Sequence, residues 1–372
     1  MNGIGTASRR DVLCGLAAAM GAAGLDRVPS ALAGPAGPLP ITVSGYRFDR
    51  TAALFDGRVE IEGCDTTFRE DVIGNMNTHA FSGPATRTVT EIGLHPYILA
   101  YANDDFRAYV LLPVFVLRQF RHKSIFVRTD RGIERPEDLR GRRIGTPGYS
   151  STSLTWIRGI LEDEYGLKQT DVEWVISAGD SSADTAGNVS AQENYLPKGV
   201  TITTGPVGLD DSDLIERGEV DALFHAVEPR CYQEGSPLVR RLFPDHRRVE
   251  QDYFRRTGIF PIMHAVAVRR DVVAEHKWLP RAVFDGYVAA KAAAYRQMSR
   301  LGWATNMLPW FGQELEDTKA LMGANFYPYG IAPNRKALET LLRYSYTQGL
   351  AARALTVDEL FEPSCLTCEE RL

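Results

Sequence analysis

Short apolar stretches alternate with segments of helical periodicity along most of the chain, and this alternation constrains the fold more than any other feature. Stretches of a length and polarity typical of buried strands occupy residues 40–45, 109–116, 124–127, 143–145, 172–176, 220–224 and 263–268. Strands that alternate with helices in this way form largely parallel sheets with helices on their faces. We therefore predict an α/β fold with mostly parallel sheets flanked by helices.

The ends of several predicted helices can be read from the sequence. Ser150 to Ser153 offer capping hydroxyls just before an apolar stripe at helical spacing, and Gly166 stops that helix. Two longer amphipathic helices are predicted over residues 281–300 and 334–350, the second with Asn334 as its N-cap. Thr356 and Glu359 form a capping box that predicts a short final helix.

One long segment does not fit this alternation. Residues 178–204 are rich in glycine, serine, aspartate and asparagine, and they contain no sustained apolar period. Such a composition is typical of a long loop or a partly ordered flap rather than of core structure.

The N-terminus has the three parts of an export signal. Arg9 and Arg10 precede a short apolar run, which is followed by Ala31-Leu32-Ala33. The run is shorter than the roughly 20 residues needed to span a bilayer, so a permanent anchor is not expected. The paired arginines indicate the twin-arginine (Tat) route. We therefore predict cleavage near Ala33 and a soluble periplasmic protein.

Charge and length set further bounds on the mature chain. Removal of three arginines and two aspartates with the signal leaves 39 basic and 45 acidic side chains, which argues against nucleic acid as a partner. The remaining residues number about 340, more than one core of roughly 250 to 300 residues accommodates. We predict two lobes, with residues 34–130 in the first, 131–245 in the second and 246–372 returning to the first.

Two segments are candidates for binding an anion. Ser150, Ser151 and Thr152 follow a predicted strand and open a helix, where backbone N–H groups and hydroxyls suit a carboxylate or phosphate. One of these residues could also serve only as a cap. Arg118 and Arg121 precede His122, and two guanidiniums beside an imidazole suit a dicarboxylate, although spacing alone favours a solvated basic loop.

Two further histidines lie at predicted strand ends. His264 begins the strand Ala-Val-Ala-Val, where it is either a core histidine or an acid-base group beside a cleft. His225 and Glu228 follow the strand at 220–224, and the C-terminal ends of strands face the ligand crevice in open α/β sheets. Either residue could instead lie in a solvated loop.

Two other sets of residues give weaker signals. Cys365 and Cys368 have redox or metal spacing, but without a second pair or a nearby histidine we expect a local disulfide or an idle frayed tail ahead of a zinc site. Nucleotide-binding and nucleophilic-serine fingerprints are absent from the sequence.

Several segments resemble the 4,5-dihydroxyphthalate decarboxylase family. They are residues 46–51, 54–59, 120–122, 136–141, 156–161, 256–264, 321–323 and 328–330, in order over nearly the whole mature chain. The segment Arg-Thr-Gly-Ile-Phe-Pro-Ile-Met-His at 256–264 is specific to this group, whereas 136–141 is shared with many solute-binding proteins. The resemblance implies a two-lobed fold of the type II periplasmic-binding-protein kind, with the ligand cleft between the lobes.

One segment departs from the family pattern. The family's Glu-x-Ser-x-Ser-x-Tyr keeps Glu91 and Tyr97 here but loses both serines, which points to a ligand that differs from dihydroxyphthalate. The export signal is a second departure, because family enzymes that degrade phthalate are expected in the cytoplasm.

The resemblance implies a non-oxidative decarboxylase for a small aromatic dicarboxylate. In this role His264 or His122 donates a proton to the ring carbon, and Arg118, Arg121 and residues 150–152 hold carboxylates. We expect Glu91, Tyr97, His225 and Glu228 to contribute substrate contacts. No cofactor is required; a divalent metal on Glu91, His95 and a cleft histidine is an alternative that the spacing does not support.

The alternative function is that of an exported solute-binding protein. It would close the same cleft on a small organic carboxylate and deliver it to a membrane permease. The export signal and the fold favour this alternative, while the family-specific motifs favour the enzyme.

Overall fold

The structure is a computed structural model that describes residues 37–301 and 306–371. The predicted export signal, residues 1–33, lies outside this part of the chain. From Leu39 onward the described residues form one compact unit. None of the described helices combines the length and the apolar character that crossing a membrane would require.

The described residues contain eleven strands, which form two sheets. The strands are β1 (Leu39–Gly45), β2 (Cys64–Glu70), β3 (Val89–Gly93), β4 (Tyr109–Arg118), β5 (Ile125–Arg128), β6 (Arg143–Thr146), β7 (Glu173–Ile176), β8 (Ile202–Thr204), β9 (Ala222–Phe224), β10 (Val239–Arg241) and β11 (Ile262–Arg269). All seven predicted strands are present, with ends shifted by at most two residues.

Each sheet mixes parallel and antiparallel strands. The first has the order β2-β1-β3-β11-β4, in which β11 runs antiparallel to β3 and β4. The second has the order β10-β5-β9-β6-β7-β8, in which β5 runs antiparallel to β9 and β10. The predicted α/β class is confirmed, but the sheets are less parallel than expected. Strands β5 and β11 are those that the chain enters from the other lobe.

Helices cover the faces of both sheets. In chain order they are α1 (Ala52–Phe55), α2 (Ile73–Phe81), α3 (Leu94–Asn103), α4 (Thr152–Tyr165), α5 (Ala183–Ala186), α6 (Asp211–Glu216), α7 (Arg230–Gln233), α8 (His246–Thr257), α9 (Arg270–Glu275), α10 (Leu279–Met298), α11 (Phe311–Met322), α12 (Arg335–Thr347) and α13 (Val357–Leu360).

The predicted helix ends are largely confirmed. Ser151 caps α4 by accepting a hydrogen bond from the Leu154 N–H, and Gly166 ends it with φ of 61°. The Thr356 N–H donates to the Glu359 carboxylate at the start of α13. Asn334 precedes α12 as predicted, but its amide donates to the Pro328 and Gly330 carbonyls rather than capping the helix.

The chain crosses between the two sheets twice. It leaves the first sheet after Arg118 and enters the second at Ile125, five residues before the expected boundary at 130; it returns between Arg241 and Ile262. The two crossing segments run side by side, because the Gln119 N–H donates to the Pro261 carbonyl at 3.1 Å. We call the part of the protein built on the first sheet the first lobe and the part built on the second sheet the second lobe.

Residues 178–204 form the predicted flap, although they also contain α5 and β8. The flap reaches the first lobe at Gly187 and Asn188, which pack on Gly74. A Cβ atom on Gly74 would lie 2.1 Å from the Asn188 carbonyl oxygen. Since real Cβ atoms do not approach so closely, glycine at position 74 permits the two lobes to meet here.

The C-terminal cysteines match neither expectation. Cys365 and Cys368 are both buried and both free thiols. The tail is ordered rather than frayed, since the Cys368 N–H donates to the Cys365 carbonyl and the Glu370 carboxylate pairs with the buried Lys291 ammonium. These packed residues are part of the first lobe.

Candidate functional site

A cavity of about 290 Å³ lies between the lobes and is lined by residues of both. Its size is close to the lower end of ligand pockets, which suits a small molecule. Five of the predicted site residues line it: Arg121, Ser151, Thr152, His225 and His264. The sequence therefore located part of the site, on four separate segments of the chain.

His264 lies near the start of β11 on the first-lobe wall. Glu91 lies on the neighbouring strand β3, where it pairs with Val266 of β11. Its side chain therefore lies diagonally across from His264 on the same face of the sheet. The His264 Nδ1 atom is 2.6 Å from Glu91 Oε1. A carboxylate at this distance fixes Nδ1 as the donor and leaves Nε2 available to the cavity.

Tyr46 contacts both members of the His264–Glu91 pair. Its backbone N–H donates to Glu91 Oε2 at 3.0 Å, and its ring stacks on the His264 ring with centroids 6.3 Å apart. The Tyr46 hydroxyl accepts from the Ile73 N–H and donates to the Thr185 carbonyl of the flap. Burial raises the pKa of Tyr46 to about 12, so the phenol is neutral. Tyr46 thus links the histidine to the closed flap.

Arg121 supplies positive charge to the cavity. Its side chain is 3% exposed, and its guanidinium donates to the Gln119 side chain and the Ala226 carbonyl. Burial lowers the pKa of Arg121 to about 10, which still leaves it charged near neutral pH. In the described part of the chain no carboxylate lies within ion-pair distance of it. A buried cation without a direct ion-pair partner favours an anionic ligand.

The N-terminus of α4 borders the cavity near Arg121. Ser151, Thr152 and Ser153 line the wall, and the helix that follows is 14 residues long. The Thr152 hydroxyl accepts from the His95 N–H at 3.0 Å, which fixes this turn against the first lobe. The first-turn N–H groups of a long helix favour negative charge, and so this wall suits a carboxylate.

A third charged group lies on the second-lobe wall. His225 follows β9, and its Nδ1 atom donates to the Val227 carbonyl at 2.6 Å. Its Nε2 atom lies 3.1 Å from Asp180 Oδ1 and 3.4 Å from Asp211 Oδ2. Burial opposes the charged ring, but the two aspartates raise the pKa of His225 overall. His225 and Asp180 line the cavity, while Asp211 is buried behind them.

Two of the predicted catalytic and anchoring residues lie away from the cavity. His122 is 2% exposed, packs on Phe243 and Tyr253, and has its pKa lowered to about 4 by burial. Arg118 donates to the Phe260 and Pro328 carbonyls instead of facing the cleft. His122 and Arg118 miss the cavity because the chain, where it leaves the first sheet, directs both side chains into packed parts of the protein.

Four other predicted contacts also lie outside the cavity lining. The Tyr97 hydroxyl donates to the Tyr109 carbonyl in the core, and the Ser150 hydroxyl donates to the Gln192 carbonyl. Glu228 forms an ion pair with Arg241 at 2.5 Å. Glu91 bonds the His264 ring but is not itself part of the cavity lining.

The alternative metal set of Glu91, His95 and a cleft histidine does not come together in the structure. His95 is fully buried, with its ring nitrogens 2.6 Å from the Ser150 carbonyl and 2.9 Å from the Ser345 hydroxyl. Burial lowers the pKa of His95 to about 3. It is therefore a neutral residue that joins three helices.

Several cavity residues were missed from the sequence. They are Tyr46, Asn77, Gln119, Asp180, Glu193 and Met263. Asp180 and Glu193 lie in the flap, where composition gave no reason to choose one polar residue over another. Tyr46 and Met263 lie within the segments that carry the family resemblance, and that was the available signal.

Comparison with known proteins supports the fold. Residues 107–196 match the family described as NMT1/THI5 like. The periplasmic aliphatic sulphonate binding protein SsuA of Escherichia coli matches with a TM-score of 0.51 at 14% identity, over 89% of this chain and 99% of that one. A putative periplasmic sulfonate-binding protein of Methylobacillus flagellatus matches with a TM-score of 0.55 at 13% identity, over 89% and 94%. The two-lobed fold of periplasmic binding proteins is thereby confirmed.

Relatives with curated names support the family. The 4,5-dihydroxyphthalate decarboxylase of Comamonas testosteroni is 34% identical over 328 residues, which cover 88% of this chain and 98% of that protein. The enzyme of the same name from Pseudomonas putida is 33% identical over 217 residues, 58% of this chain and 82% of that protein. The chain therefore belongs to the 4,5-dihydroxyphthalate decarboxylase family.

Proposed function

We propose that this chain is a carboxy-lyase that removes carbon dioxide from a small aromatic dicarboxylate of the 4,5-dihydroxyphthalate class. The observation that carries the proposal is the cavity that combines His264, oriented by Glu91, with Arg121, a buried cation that has no direct ion-pair partner among the described residues. A proton donor and an anion anchor are the two groups that this reaction needs. The names of the relatives support the choice of substrate class.

The reaction follows from the placement of the proton donor. His264, protonated, gives its Nε2 proton to the ring carbon that bears one carboxylate, and the hydroxyl para to that carbon stabilises the positive charge on the ring. The carbon–carbon bond then breaks, its electrons restore the ring, and carbon dioxide leaves. Glu91 stabilises the imidazolium before transfer and holds the ring in one tautomer. A proton from solvent recharges His264.

The second carboxylate of the substrate is retained, and it needs a seat of its own. Arg121 offers a guanidinium fork, and the first turn of α4 offers N–H groups and the Ser151 and Thr152 hydroxyls. Both groups are held by hydrogen bonds from their surroundings, so little reorganisation accompanies binding. Of the two positions where the family's serines are lost, Gly93 lines the cavity, whereas the His95 ring is directed away from it, toward the Ser345 hydroxyl.

The test compares two acids on purified protein. With 4,5-dihydroxyphthalate we expect release of one carbon dioxide per 3,4-dihydroxybenzoate formed, together with a rise in melting temperature during binding. Phthalate is the matched control: it has both carboxylates but no hydroxyl to activate the ring, so it should stabilise the protein without turnover. Stabilisation by dihydroxyphthalate without any release of carbon dioxide would overturn the proposal and indicate a solute-binding protein.

We further propose that the protein works in the periplasm. The twin-arginine motif at Arg9 and Arg10 supports this location. Cell fractionation should find the full-length wild type in the periplasm and the Arg9→Lys, Arg10→Lys double variant in the cytoplasm. A wild type that stays in the cytoplasm would contradict export.

A further inference from the structure

We propose that Asp180, Asp211 and His225 form a binding site for a divalent first-row metal ion on the second-lobe wall of the cavity. This inference rests on the proposed function: the ion would coordinate the two adjacent hydroxyl groups of the substrate. This site is separate from His264 and Arg121, which act on the carboxylates. The three side chains come from the flap, from the start of α6 and from the end of β9.

The distances between the three side chains suit shared coordination. His225 Nε2 is 3.1 Å from Asp180 Oδ1 and 3.4 Å from Asp211 Oδ2. Metal–ligand bonds of about 2.1 Å place adjacent ligand atoms roughly 3.0 Å apart in an octahedral site and roughly 3.4 Å apart in a tetrahedral one. Asp180 and His225 line the cavity, so the remaining coordination positions open toward a bound ligand.

Hydrogen bonds outside the cluster orient each of its members. The His225 Nδ1 atom donates to the Val227 carbonyl at 2.6 Å, which directs Nε2 to the aspartates. The Ser182 N–H and hydroxyl both donate to Asp180 Oδ1 at 2.7 Å. The Ser181 N–H and hydroxyl donate to the two oxygens of Asp211. Supporting bonds of this kind are typical of metal ligands.

The local charge also favours a cation. Asp211 has no exposed surface, and His225 is 1% exposed. Within the described residues neither Asp180 nor Asp211 is paired with a lysine or an arginine, whereas the adjacent Asp210 is paired with Arg230 at 3.0 Å. One imidazolium leaves the two carboxylates with a net negative charge, which a divalent ion can neutralise.

A metal at this position would assist the proposed reaction. Two adjacent ring hydroxyls can bind one ion as a five-membered chelate, and the ion lowers the pKa of a hydroxyl that it binds. The hydroxyl para to the departing carboxylate then loses its proton to solvent. The resulting phenolate raises electron density at the ring carbon that His264 protonates. The two lobes would therefore act on opposite ends of one small ring.

The experiment measures binding of Zn²⁺ to untagged, EDTA-treated, full-length mature protein by calorimetry. We expect one Zn²⁺ per chain, and at least a 30-fold weaker affinity in both Asp211→Asn and Asp180→Asn. Asp210→Asn is the matched control, because Asp210 neighbours the cluster but binds Arg230, and it should retain wild-type affinity. Two variants are used so that a folding defect in one, seen as lost thermal unfolding, leaves the other informative.

Three outcomes decide the matter. No Zn²⁺ binding by the wild type, or equal binding by the wild type and both cluster variants, overturns the metal site and leaves His225 as an imidazolium paired with Asp180. Carbon dioxide release at full rate after EDTA treatment also overturns the role for the metal, while the proposed function survives. One Zn²⁺ bound through the cluster without any carbon dioxide release supports the site and contradicts the proposed function.

Discussion

The start of β11 and the crossing segment that follows β4 each carry a histidine that the sequence proposes as the proton donor, and the two lie in opposite environments in the structure. His264 and His122 are both largely buried, at 9% and 2% exposed. His264 has a carboxylate partner and a cavity in front of it. His122 has aromatic neighbours, and neither ring nitrogen has a hydrogen-bond partner among the described residues.

The difference shows that burial alone does not make a histidine functional. A neutral ring in an apolar contact resists protonation, since burial penalises its charged form. The same ring beside a buried carboxylate can carry a proton and present it to a ligand. What separates the two residues is a partner 173 positions away in the sequence.

The largest expected effect comes from replacing His264, near the start of β11. His264→Gln should lower kcat for 4,5-dihydroxyphthalate by about 1000-fold, because the proton donor is lost. His122→Gln is the matched control and should keep kcat within about twofold of the wild type. The measurement is carbon dioxide release at saturating substrate. An equal fall in kcat in the two variants would contradict the assignment of His264, and not His122, as the proton donor.

The next largest effect concerns Glu91, the carboxylate partner of His264. Glu91→Gln keeps the size of the side chain but replaces the acceptor opposite His264 Nδ1, so the preferred tautomer of the imidazole changes. We expect kcat to fall about 100-fold with little change in KM. The ¹⁵N NMR shifts of His264 should report the altered tautomer. An unchanged kcat would mean that Glu91 does not orient the proton donor.

A smaller effect separates Arg118, the last residue of β4, from Arg121 in the crossing segment. Arg121→Lys should raise KM about 10- to 150-fold, because the guanidinium fork in the cavity contributes charge-assisted hydrogen bonds worth about 1.5 to 3 kcal/mol. Arg118→Lys should leave KM unchanged and lower the melting temperature instead, since Arg118 bonds the Phe260 and Pro328 carbonyls. Steady-state kinetics and thermal unfolding distinguish the two. A raised KM in Arg118→Lys and a lowered melting temperature in Arg121→Lys would instead assign substrate binding to Arg118 and the structural role to Arg121.

The smallest effect tests the buried state of His122 by pH. Burial lowers its pKa from 6.5 to about 4 in the folded chain, so the unfolded chain binds more protons between these values. Its contribution to stability is therefore complete above pH 6.5 and is lost as the pH falls toward 4. Between pH 7 and 5.5 the wild type should lose about 1 kcal/mol more unfolding free energy than His122→Gln. Parallel pH dependence in denaturant titrations would contradict burial of a neutral ring.

Much of the fold could be predicted because its signals are local. The caps of α4, Ser151 and Gly166, are readable from neighbouring residues, and the apolar stretches mark the strands. The mixed pairing of β11 could not be read in this way. It depends on how the chain returns from the second lobe, and apolar periodicity carries no information on that path.

The site was only partly predictable, for the same reason. Residues at strand ends and at a helix N-terminus, such as His264 and Ser151, belong to positions that general rules connect with ligands. Arg118 and Arg121 are equivalent on spacing, but the turn after β4 directs one into packed structure and the other into the cavity. Asp180 lies in the flap and faces the cavity beside His225, which is 45 positions away in the sequence.

In the proposed reaction His264 delivers a proton to the ring carbon that then loses carbon dioxide. The most direct measurement is a reaction of 4,5-dihydroxyphthalate in D₂O, with the product analysed by NMR. The account predicts 3,4-dihydroxybenzoate with one deuterium, placed at the carbon that lost its carboxylate, from the wild type and almost none from His264→Gln. Substrate recovered intact from saturated wild-type protein, or equal product from both proteins, would contradict it.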